Sequence, residues 1–568
     1  MESTLPHIIP NIEEWPIYKV SENRAAFITE LNEYTKSRLY SEIKVSTEEL
    51  LEKTIYLEKL RSKNNPWKVD PADDKSYWKD LEREIKIAKT SDDKEEKLVA
   101  IVERIINRYN EEIVGNFKKK TFKFSRKFLH SLFKRLLNPA TFKGQKRLWG
   151  NRSQARQKIK LHGHVDDLRS LFTKGTVVIV PTHFSNLDSI LIGYALDAVV
   201  GIPASSYGAG LNLLDNEIVA YFINRLGAYR VDRRKKNPIY LECLKSMASF
   251  SLQKNVNQIF FPGGTRARNG KLEDKLKLGL LGSMVEAQRH AITDGTNNKI
   301  YIVPLVVSYH FILEAKSLVD QYLRSTGKEK YTRSREDSKS SGKLMSFLWS
   351  IITKGSDIAL SFGQPMDVFG HAVDINGESL DKHGNKIDIS GYFKLDGEIK
   401  TVSQREKVYT KLLGEKIVES YSINNVVLSS HLVAFAAFKI LLNSNSELNI
   451  YDVVNIPTAN FEIDQVLLEK VIKKILSSIN KLEQKGKIKI SETLEKSLKE
   501  IIDDGLRNLG LYHPQKVLKR SKEGKYSSEN FRLLYFYHNR LDSYGLENTV
   551  DWDTLITRNK PITEKSIL

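Results

Sequence analysis

Cysteine is nearly absent from this chain of 568 residues, and no long apolar run occurs in it. The single thiol, Cys243, excludes an internal disulfide and any cysteine-based zinc site, so we expect it to be a small buried apolar side chain. Because no stretch of about 18 apolar residues is free of charge, we expect no membrane-spanning helix. Residues 1–6 are polar and no apolar core follows them, so we expect no secretory signal and a cytoplasmic protein.

Acidic residues are in the minority, and clustered metal ligands are missing. The 70 Asp and Glu residues face 89 Lys and Arg residues, which gives a formal net charge of +19. Such an excess favours a polyanionic partner: nucleic acid, an anionic membrane surface or phosphorylated molecules. No zinc finger, RNA-recognition signature or evenly basic helix is present, so nucleic acid is the least favoured of the three. We expect neither a metal nor a tightly bound cofactor.

The first two regions are helical in pattern. Residues 1–115 are charge-dense and form a predicted helical accessory region. Residues 116–159 form a basic amphipathic segment, in which 117–137 carry eight Lys or Arg and five Phe without an acid. Such a helix suits an anionic membrane surface, or it packs on the next domain as an ordinary amphipathic helix. The apolar side chains that helical spacing places on one face are Phe128, Leu129, Leu132, Phe133 and Leu136.

Residues 160–402 alternate apolar strands with helices, which predicts an α/β domain built on a mainly parallel sheet. Insertions are expected near 321–343 and 371–402. The last region, 403–568, is helical again, and we expect its apolar piece Val426–Leu442 to be a buried helix. The predicted strands are 176–181, 196–203, 227–232, 257–262, 300–307 and 357–362, and the predicted helices between them are 187–195, 214–226, 238–252 and 276–292.

A histidine and a carboxylate stand five positions apart where a strand gives way to a helix. The strand 176–181 ends just before His183, and Asp188 opens the following helix. The carboxyl ends of strands face the crevice in which α/β folds bind ligands. There an imidazole can take a proton from an alcohol while a carboxylate on its other nitrogen fixes the tautomer. The alternative is a polar loop histidine beside a helix-capping aspartate.

A second segment combines a glycine turn with cations. Gly263, Gly264 and Thr265 follow the strand 257–262, and the next six residues include Arg266, Arg268 and Lys271. Glycines allow backbone N–H groups to approach an anion, and the arginine fork matches phosphate oxygens. A further cation, Arg233, ends the strand 227–232. Because parallel strands end at one edge of a sheet, these segments are expected to share a crevice with His183.

Taken in order, these blocks resemble the four-block signature of the glycerolipid acyltransferases. The blocks are His183-x4-Asp188 and the segments 227–233, 261–266 and 303–309. Within that superfamily the chain looks most like the glycerol-3-phosphate 1-O-acyltransferases of the large bacterial and mitochondrial type. The segments that carry this closer similarity are 266–271, Lys277-Leu278-Gly279, 426–434 and 534–539.

The resemblance implies a fold and a mechanism. It implies that His183 is the general base that activates the hydroxyl of glycerol 3-phosphate for attack on acyl-CoA or an acyl-carrier protein, and that Asp188 orients His183. It also implies a peripheral position on the inner face of the cell membrane, with phospholipid synthesis as the purpose. The residues implied to hold the acceptor phosphate or to shape the turn around it are Arg233, Gly264, Thr265, Arg266, Arg268 and Lys271.

One position departs from the family pattern. The family usually has Glu where this chain has Gly263, and in the family that carboxylate is thought to help hold the acceptor. Its loss leaves other acceptors open, namely lysophosphatidic acid, dihydroxyacetone phosphate or another lipid headgroup. A non-catalytic, membrane-bound relative is the remaining alternative.

Overall fold

A mixed seven-stranded sheet forms the centre of the described part of the chain. The computed structural model describes residues 5–42, 45–67, 70–136, 159–210, 217–296, 298–327 and 357–556. The strands lie in the order β1-β7-β6-β2-β5-β3-β4. They are β1 (Ile159–Gly163), β2 (Gly175–Pro181), β3 (Ser206–Gly210), β4 (Ala228–Val231), β5 (Gln258–Ile259), β6 (Lys299–Tyr309) and β7 (Ile358–Phe362).

The direction of the strands confirms the predicted mainly parallel α/β sheet. β6, β2, β5, β3 and β4 run parallel to one another, whereas β7 is antiparallel to β6 and β1 is parallel to β7. β2 is apolar throughout because both of its faces are covered. Val177 and Ile179 pack on one side of the sheet, and Val178 and Val180 pack on the other. The five parallel strands therefore end at one edge.

Helices cover both faces of this sheet. Four of them agree with the predicted helices to within three residues at each end, whereas Val165–Leu171 and Ala315–Thr326 were not predicted. The helices around the sheet are α7 (Val165–Leu171), α8 (Asp188–Ala195), α9 (Glu217–Arg225), α10 (Pro238–Gln253), α11 (Leu278–Thr293) and α12 (Ala315–Thr326).

The strand predicted at 196–203 is wrong. Residues Leu196–Val200 continue α8 as a π-helical turn, which ends at Gly201 with a φ of 73°. Leu196, Val199 and Val200 are buried in the main core. A short buried apolar run has the same composition in a strand and in a helix, and local sequence does not separate the two. The neighbouring strand is instead β3, which the sequence did not predict.

The two predicted insertions have different outcomes. Part of the first one, 328–343, lies outside the described residues, whereas 321–326 complete α12. The second, 371–402, contains two short antiparallel hairpins, in which Ala372–Val373 pairs with Ser379–Leu380 and Lys394–Leu395 pairs with Glu398–Ile399.

The N-terminal helices form one core with the α/β region. α2, α3 and α5 pack on α10, α4 packs on α3 and α5, and the buried Cys243 lies in this core as the small apolar residue expected. Burial raises the pKa of its thiol well above the usual value. The N-terminal helices are α1 (Pro16–Glu22), α2 (Arg24–Glu42), α3 (Thr47–Asn64), α4 (Asp74–Ala88), α5 (Lys94–Ile113) and α6 (Lys119–Leu136).

The C-terminal region is helical, as expected, and it surrounds one buried helix. Val426–Val427 form a short strand, and α14 follows it with almost every side chain buried. No helix within the described ranges combines the length and the apolar character that crossing a membrane requires. The helices of this region are α13 (Ser403–Ile423), α14 (Ser429–Asn443), α15 (Ile450–Val453), α16 (Gln465–Gln484), α17 (Leu498–Asn508), α18 (Phe531–His538) and α19 (Trp552–Ile556).

A buried ion-pair cluster joins the N-terminal helices to the α/β region and allows a test of this packing. Arg38 on α2 donates to Glu242 on α10 at 2.6 Å and forms an ion pair with Glu286 on α11. Since Arg38→Ala removes the cation closest to both carboxylates and leaves the buried Glu242 with only the more distant Lys245, we expect it to lower the free energy of unfolding by about 3 kcal/mol.

The measurement is urea unfolding followed by tryptophan fluorescence, because Trp78 is buried in the same core. The matched control is Arg83→Ala, which removes an exposed ion pair with Asp80 and is expected to cost about 1 kcal/mol or less. Equal losses in the two variants would contradict the docking role of Arg38.

Candidate active site

His183 and Asp188 form a hydrogen-bonded pair at the carboxyl edge of the sheet. His183 follows β2, and Asp188 begins α8. The Nδ1 atom of His183 lies 2.9 Å from Oδ2 of Asp188. A carboxylate only accepts, so Nδ1 carries the proton and Nε2 keeps its lone pair. No described residue is hydrogen-bonded to Nε2, and the ring is partly exposed. The geometry therefore leaves Nε2 available to a substrate.

Asp188 is fully buried and accepts hydrogen bonds from four groups in the described part of the chain. Besides the imidazole, Oδ2 receives the backbone N–H groups of Phe184 at 2.7 Å and Ser185 at 2.9 Å. Oδ1 receives the hydroxyl of Tyr309, at the end of β6, at 2.7 Å. Burial and the negative charge of Asp188 raise the pKa of Tyr309 well above its usual value, so the phenol remains a donor. These bonds hold the carboxylate in one orientation towards His183.

The loop after β5 encloses the backbone of His183 on both sides. Ala267 donates its N–H to the His183 carbonyl at 2.8 Å. The N–H of His183 donates to Oε1 of Glu273 at 2.7 Å. The ring of Phe261 lies 4.4 Å from the imidazole, measured between centroids. The glycine turn predicted to share a crevice with the histidine is therefore joined to it directly.

Only one of the two carboxylate oxygens of the partly buried Glu273 has a hydrogen-bond partner among the described residues. Its Oε2 atom is buried and has no hydrogen-bond partner in the described part of the chain. Burial raises the pKa of Glu273 to about 7, although the His183 N–H and the positive charge of Arg540 act in the opposite direction.

The predicted cations differ in what they contact. Arg266 lies 3.2 Å from Oε1 of Glu314, and the same carboxylate accepts from the Ser185 hydroxyl at 2.9 Å and the Asn186 N–H at 3.0 Å. Arg266 is thereby tied to the segment that follows His183. Arg268 is partly exposed and makes no ion pair with a described residue.

The other two predicted cations lie further from the dyad. Lys271 forms an ion pair with Asp542 of the C-terminal region at 2.5 Å. Arg233 is exposed at the end of β4, the outermost strand, which is separated from β2 by β5 and β3. Three strand spacings amount to about 14 Å. The structure thus ties Arg266 through Glu314 to the segment after His183, holds the residue before Arg268 against the His183 carbonyl, and places Lys271 and Arg233 towards the sides.

The glycine turn has the conformation that its sequence demands. Gly264 has a φ of 71°, a region that favours glycine, and its N–H donates to the Phe261 carbonyl at 3.1 Å. The N–H of Gly264 is therefore used within the turn. The N–H of Thr265 makes no hydrogen bond with a described residue, so it is one amide of this turn that is available to a ligand.

The C-terminal region supports the site from behind. Arg540 is buried, donates to Asn425 Oδ1 at 2.8 Å and to the Val307 carbonyl at 2.9 Å, and lies 4.4 Å from the centroid of the Phe184 ring. Burial lowers its pKa to about 10. His431 donates through Nε2 to the Tyr309 carbonyl at 2.9 Å. These contacts fix both the segment after β2 and the end of β6.

Sequence reasoning missed four residues of this site, namely Glu273, Tyr309, Glu314 and Arg540. Tyr309 lies within the recognised segment 303–309 and Arg540 directly follows the recognised segment 534–539, which was the available signal. No local signal marks Glu273 or Glu314, because their contacts with 183–186 span 90 residues or more.

The arrangement is suited to proton transfer beside a bound anion. It offers an imidazole with a free nitrogen, a fixed carboxylate behind it, an unused amide and two nearby arginines. In the described part of the chain no group of three or more His, Cys, Asp or Glu side chains is arranged to hold a metal ion.

Comparison with known proteins gives the same region. Residues 158–308 match the family model for acyltransferases. The chain is 27% identical over 201 residues to a glycerol-3-phosphate acyltransferase of Alteromonas mediterranea, an alignment that covers 35% of this chain and 24% of the relative. It is 30% identical over 169 residues to the one of Haemophilus ducreyi, covering 29% of this chain and 20% of the relative.

The alignments cover about a quarter or less of the length of these relatives. The dyad, the glycine turn with its cations and Glu273 lie within the matched residues, whereas Tyr309, Glu314 and the C-terminal support lie outside them. The segment 158–308 is therefore an acyltransferase-family domain, and the chain is similar there to bacterial glycerol-3-phosphate acyltransferases.

Proposed function

We propose that this chain transfers an acyl group from acyl-CoA or an acyl-carrier protein to the 1-hydroxyl of glycerol 3-phosphate, as a step of phospholipid synthesis. The observation that carries the proposal is the His183–Asp188 dyad with Nε2 unoccupied at the carboxyl edge of an acyltransferase-family sheet. Similarity to glycerol-3-phosphate acyltransferases supports the choice of acceptor.

The nucleophile is the acceptor hydroxyl rather than a side chain of the protein. The two hydroxyls nearest in sequence make other contacts: Thr182 accepts from the Val307 N–H at 3.2 Å, and Ser185 donates to Glu314 and accepts from the Leu187 N–H at 3.1 Å. Neither is hydrogen-bonded to the imidazole. Cys243 is buried in the core formed with the N-terminal helices. The acceptor oxygen therefore attacks the thioester directly, without an acyl-enzyme intermediate.

The proton follows a closed path. As the hydroxyl oxygen bonds to the thioester carbonyl carbon, Nε2 of His183 takes its proton, and Asp188 stabilises the resulting imidazolium. Collapse of the tetrahedral intermediate breaks the carbon–sulfur bond, and the imidazolium returns the proton to the thiolate. The products are the 1-acyl ester and the free thiol, and the dyad is restored.

The acceptor phosphate is held by the cations beside the turn. Arg268 has no competing carboxylate in the described part of the chain, and the Thr265 N–H points to the same role. Arg266 joins them by exchanging part of its contact with Glu314 for phosphate oxygens. Lys271 and Arg233 contribute positive potential at the sides of the crevice rather than contacts with the reacting molecule.

We further propose that α6 rests on an anionic membrane surface. One side of the helix packs on the protein, where the rings of Phe122 and Trp15 lie 5.2 Å apart. The predicted single apolar face is divided, because Phe128 is 54% exposed whereas Leu129 is partly buried. Phe124 is 57% exposed next to it. The side chains of residues 132–136 lie outside the described residues.

The outer side of α6 has the composition that a lipid interface requires. Lys120, Lys123 and Lys127 are exposed and share the helical spacing of Phe124 and Phe128. Aromatic rings enter the interface while the cations meet lipid headgroups. Binding through α6 thereby keeps the active-site crevice at the membrane into which the acylated product passes.

The first prediction concerns the dyad. His183→Ala removes the base, and Asp188→Asn turns the wrong tautomer towards the acceptor, so each is expected to lower kcat by about 10²–10⁴-fold. The measurement is formation of lysophosphatidic acid from labelled acyl thioester and glycerol 3-phosphate. Parallel reactions with dihydroxyacetone phosphate and lysophosphatidic acid test the other acceptors.

His164→Ala is the matched control, since His164 also forms a histidine–carboxylate pair, with Asp167 at 2.7 Å, but at the surface. It is expected to leave kcat unchanged. Full turnover in His183→Ala would exclude the mechanism. A loss in Ser185→Ala as large as that in His183→Ala would favour an acyl-enzyme route instead.

The second prediction concerns the phosphate. Arg268→Ala removes charge-assisted hydrogen bonds to the acceptor, so it is expected to raise the KM for glycerol 3-phosphate by about 10- to 100-fold. Lys275→Ala removes an exposed cation from the same loop and is expected to leave that KM unchanged. The measurement is steady-state kinetics in which the concentrations of both substrates are varied. An unchanged KM for glycerol 3-phosphate in Arg268→Ala would refute the role of Arg268 in binding the phosphate.

The third prediction concerns the membrane. Replacement of Phe124 and Phe128 by Ala is expected to weaken binding to phosphatidylglycerol vesicles about tenfold, because apolar area is withdrawn from the interface. The measurement is co-sedimentation at several vesicle concentrations. The control replaces Tyr56 and Ile87, which are 65% and 66% exposed on α3 and α4. Vesicle binding that is equal in the two double variants would contradict this surface.

A further inference from the structure

Gly263 lacks a side chain for a reason that lies elsewhere in the fold. Its backbone is outside the left-handed region, so a side chain there meets no conformational barrier. A Cβ atom placed on it would lie 3.0 Å from Cγ, 3.2 Å from Oε1 and 3.6 Å from Cδ of Glu273. The side chain of Glu273 therefore fills the space that a residue at position 263 would use.

The chain holds Glu273 in this space at three points. Its Oε1 accepts the His183 N–H, the Lys277 N–H donates to the Pro262 carbonyl at 2.8 Å, and the Ala267 N–H donates to the His183 carbonyl. The bond between Lys277 and Pro262 thus joins the two ends of the loop 262–277. Between these ends, Ala267 and Glu273 bind the backbone of His183. The carboxylate is placed by the fold, beside the base and above the glycine turn.

One oxygen of this carboxylate has nothing to bind. Oε2 is buried and accepts no hydrogen bond from the described residues. A buried acceptor without a donor is costly, and the cost is larger for a charged group. Contacts with the fold use Oε1 alone, so Oε2 is free to receive a donor from a ligand in the crevice.

We infer that Glu273 supplies, over the gap left by Gly263, the carboxylate that binds the non-reacting hydroxyl of the acceptor beside His183. This inference rests on the proposed function. The exposed Lys277 side chain lies over the neighbouring Gly264. The acceptor then has one hydroxyl at Nε2 of His183, its neighbour at Oε2 of Glu273, and its phosphate at the arginines.

Such a carboxylate selects among the acceptors that the sequence left open. Glycerol 3-phosphate carries a hydroxyl next to the reacting one, and that hydroxyl is a hydrogen-bond donor. Dihydroxyacetone phosphate has a carbonyl oxygen in its place, which only accepts and is repelled by a carboxylate. A 1-acyl lysophosphatidic acid has used the first hydroxyl in an ester. A polyol phosphate with two adjacent hydroxyls is therefore the acceptor class that fits.

The experiment compares two acceptors that differ by this one hydroxyl. They are glycerol 3-phosphate and 3-hydroxypropyl phosphate, which keeps the reacting hydroxyl and the phosphate. The wild-type protein is expected to favour glycerol 3-phosphate by about 10- to 100-fold in kcat/KM, the range of a hydrogen bond to a charged group. Glu273→Ala and Glu273→Gln are expected to lose most of that preference.

Glu273→Gln separates recognition from folding. Its amide oxygen still accepts the His183 N–H, whereas its NH₂ group cannot accept from a hydroxyl. Its kcat/KM for 3-hydroxypropyl phosphate is therefore expected to remain within about threefold of the wild type. A merely structural role would lower kcat/KM for both acceptors by the same factor. Asp274→Asn, an exposed neighbouring acid, is the control that keeps the full preference.

A rescue variant tests the exchange of positions. In the Glu273→Ala background, Gly263→Glu returns a carboxylate to the vacated space and is expected to restore the preference for glycerol 3-phosphate. Gly263→Glu alone is expected to lower activity, because its Cβ and second carboxylate are pressed against Glu273.

The outcomes separate the inference from the proposed function. If the wild-type protein acylates neither acceptor, the proposed function falls and the role of Glu273 falls with it. If the wild-type protein acylates glycerol 3-phosphate while both Glu273 variants keep the preference, the role of Glu273 alone is overturned.

Discussion

The buried carboxylate of Asp188 is the constraint on which the site depends. It accepts from an imidazole, two backbone amides and a tyrosine, and these four donors come from the segment after β2 and from the end of β6. A buried carboxylate cannot lose one of these donors without a large penalty. Its hydrogen bonds therefore fix the turn between β2 and α8 and the tautomer of His183, and they tie the start of α8 to the end of β6.

The C-terminal region belongs to this constraint although it lies outside the family match. Arg540 is a buried cation whose hydrogen bonds go to neutral acceptors, including Asn425 and the carbonyl of Val307. Its charge is balanced at longer range by Glu273 and Asp188, and it works against the burial that raises the pKa of Glu273 to about 7. Burial keeps the pKa of His431 well below its usual value, so this histidine acts as a neutral donor to Tyr309. The helices beyond residue 403 thus supply electrostatic and structural support that the α/β domain lacks by itself.

The sequence predicted correctly those features that neighbouring residues encode, and it did not predict those that depend on long-range contacts. The strand β2, the helix α8 and the histidine–carboxylate pair are encoded within residues 175–195, and all were predicted in place. The apolar run 196–203 was misread because burial makes a helix and a strand look alike in composition. The position of Arg233 depends on strand order, since β4 lies three strands from β2. The order of strands in a sheet cannot be predicted from the sequence of any one strand. Tyr309 and Glu314 act through contacts that span more than 120 residues, so their roles required the fold.

Gly263 and Glu273 are a further case in which the sequence does not reveal what the fold brings together, here a single carboxylate group. In the sequence, a glycine at 263 indicates that the carboxylate of the motif is missing. In the structure, the carboxylate of Glu273, ten residues later in the chain, lies where a side chain at 263 would be. The two arrangements compete for the same space, because a Cβ atom at 263 would lie 3.0 Å from Cγ of Glu273. A glycine at 263 therefore leaves room for Glu273 beside His183, and on the inference drawn above the departure from the family pattern relocates the charge instead of removing it.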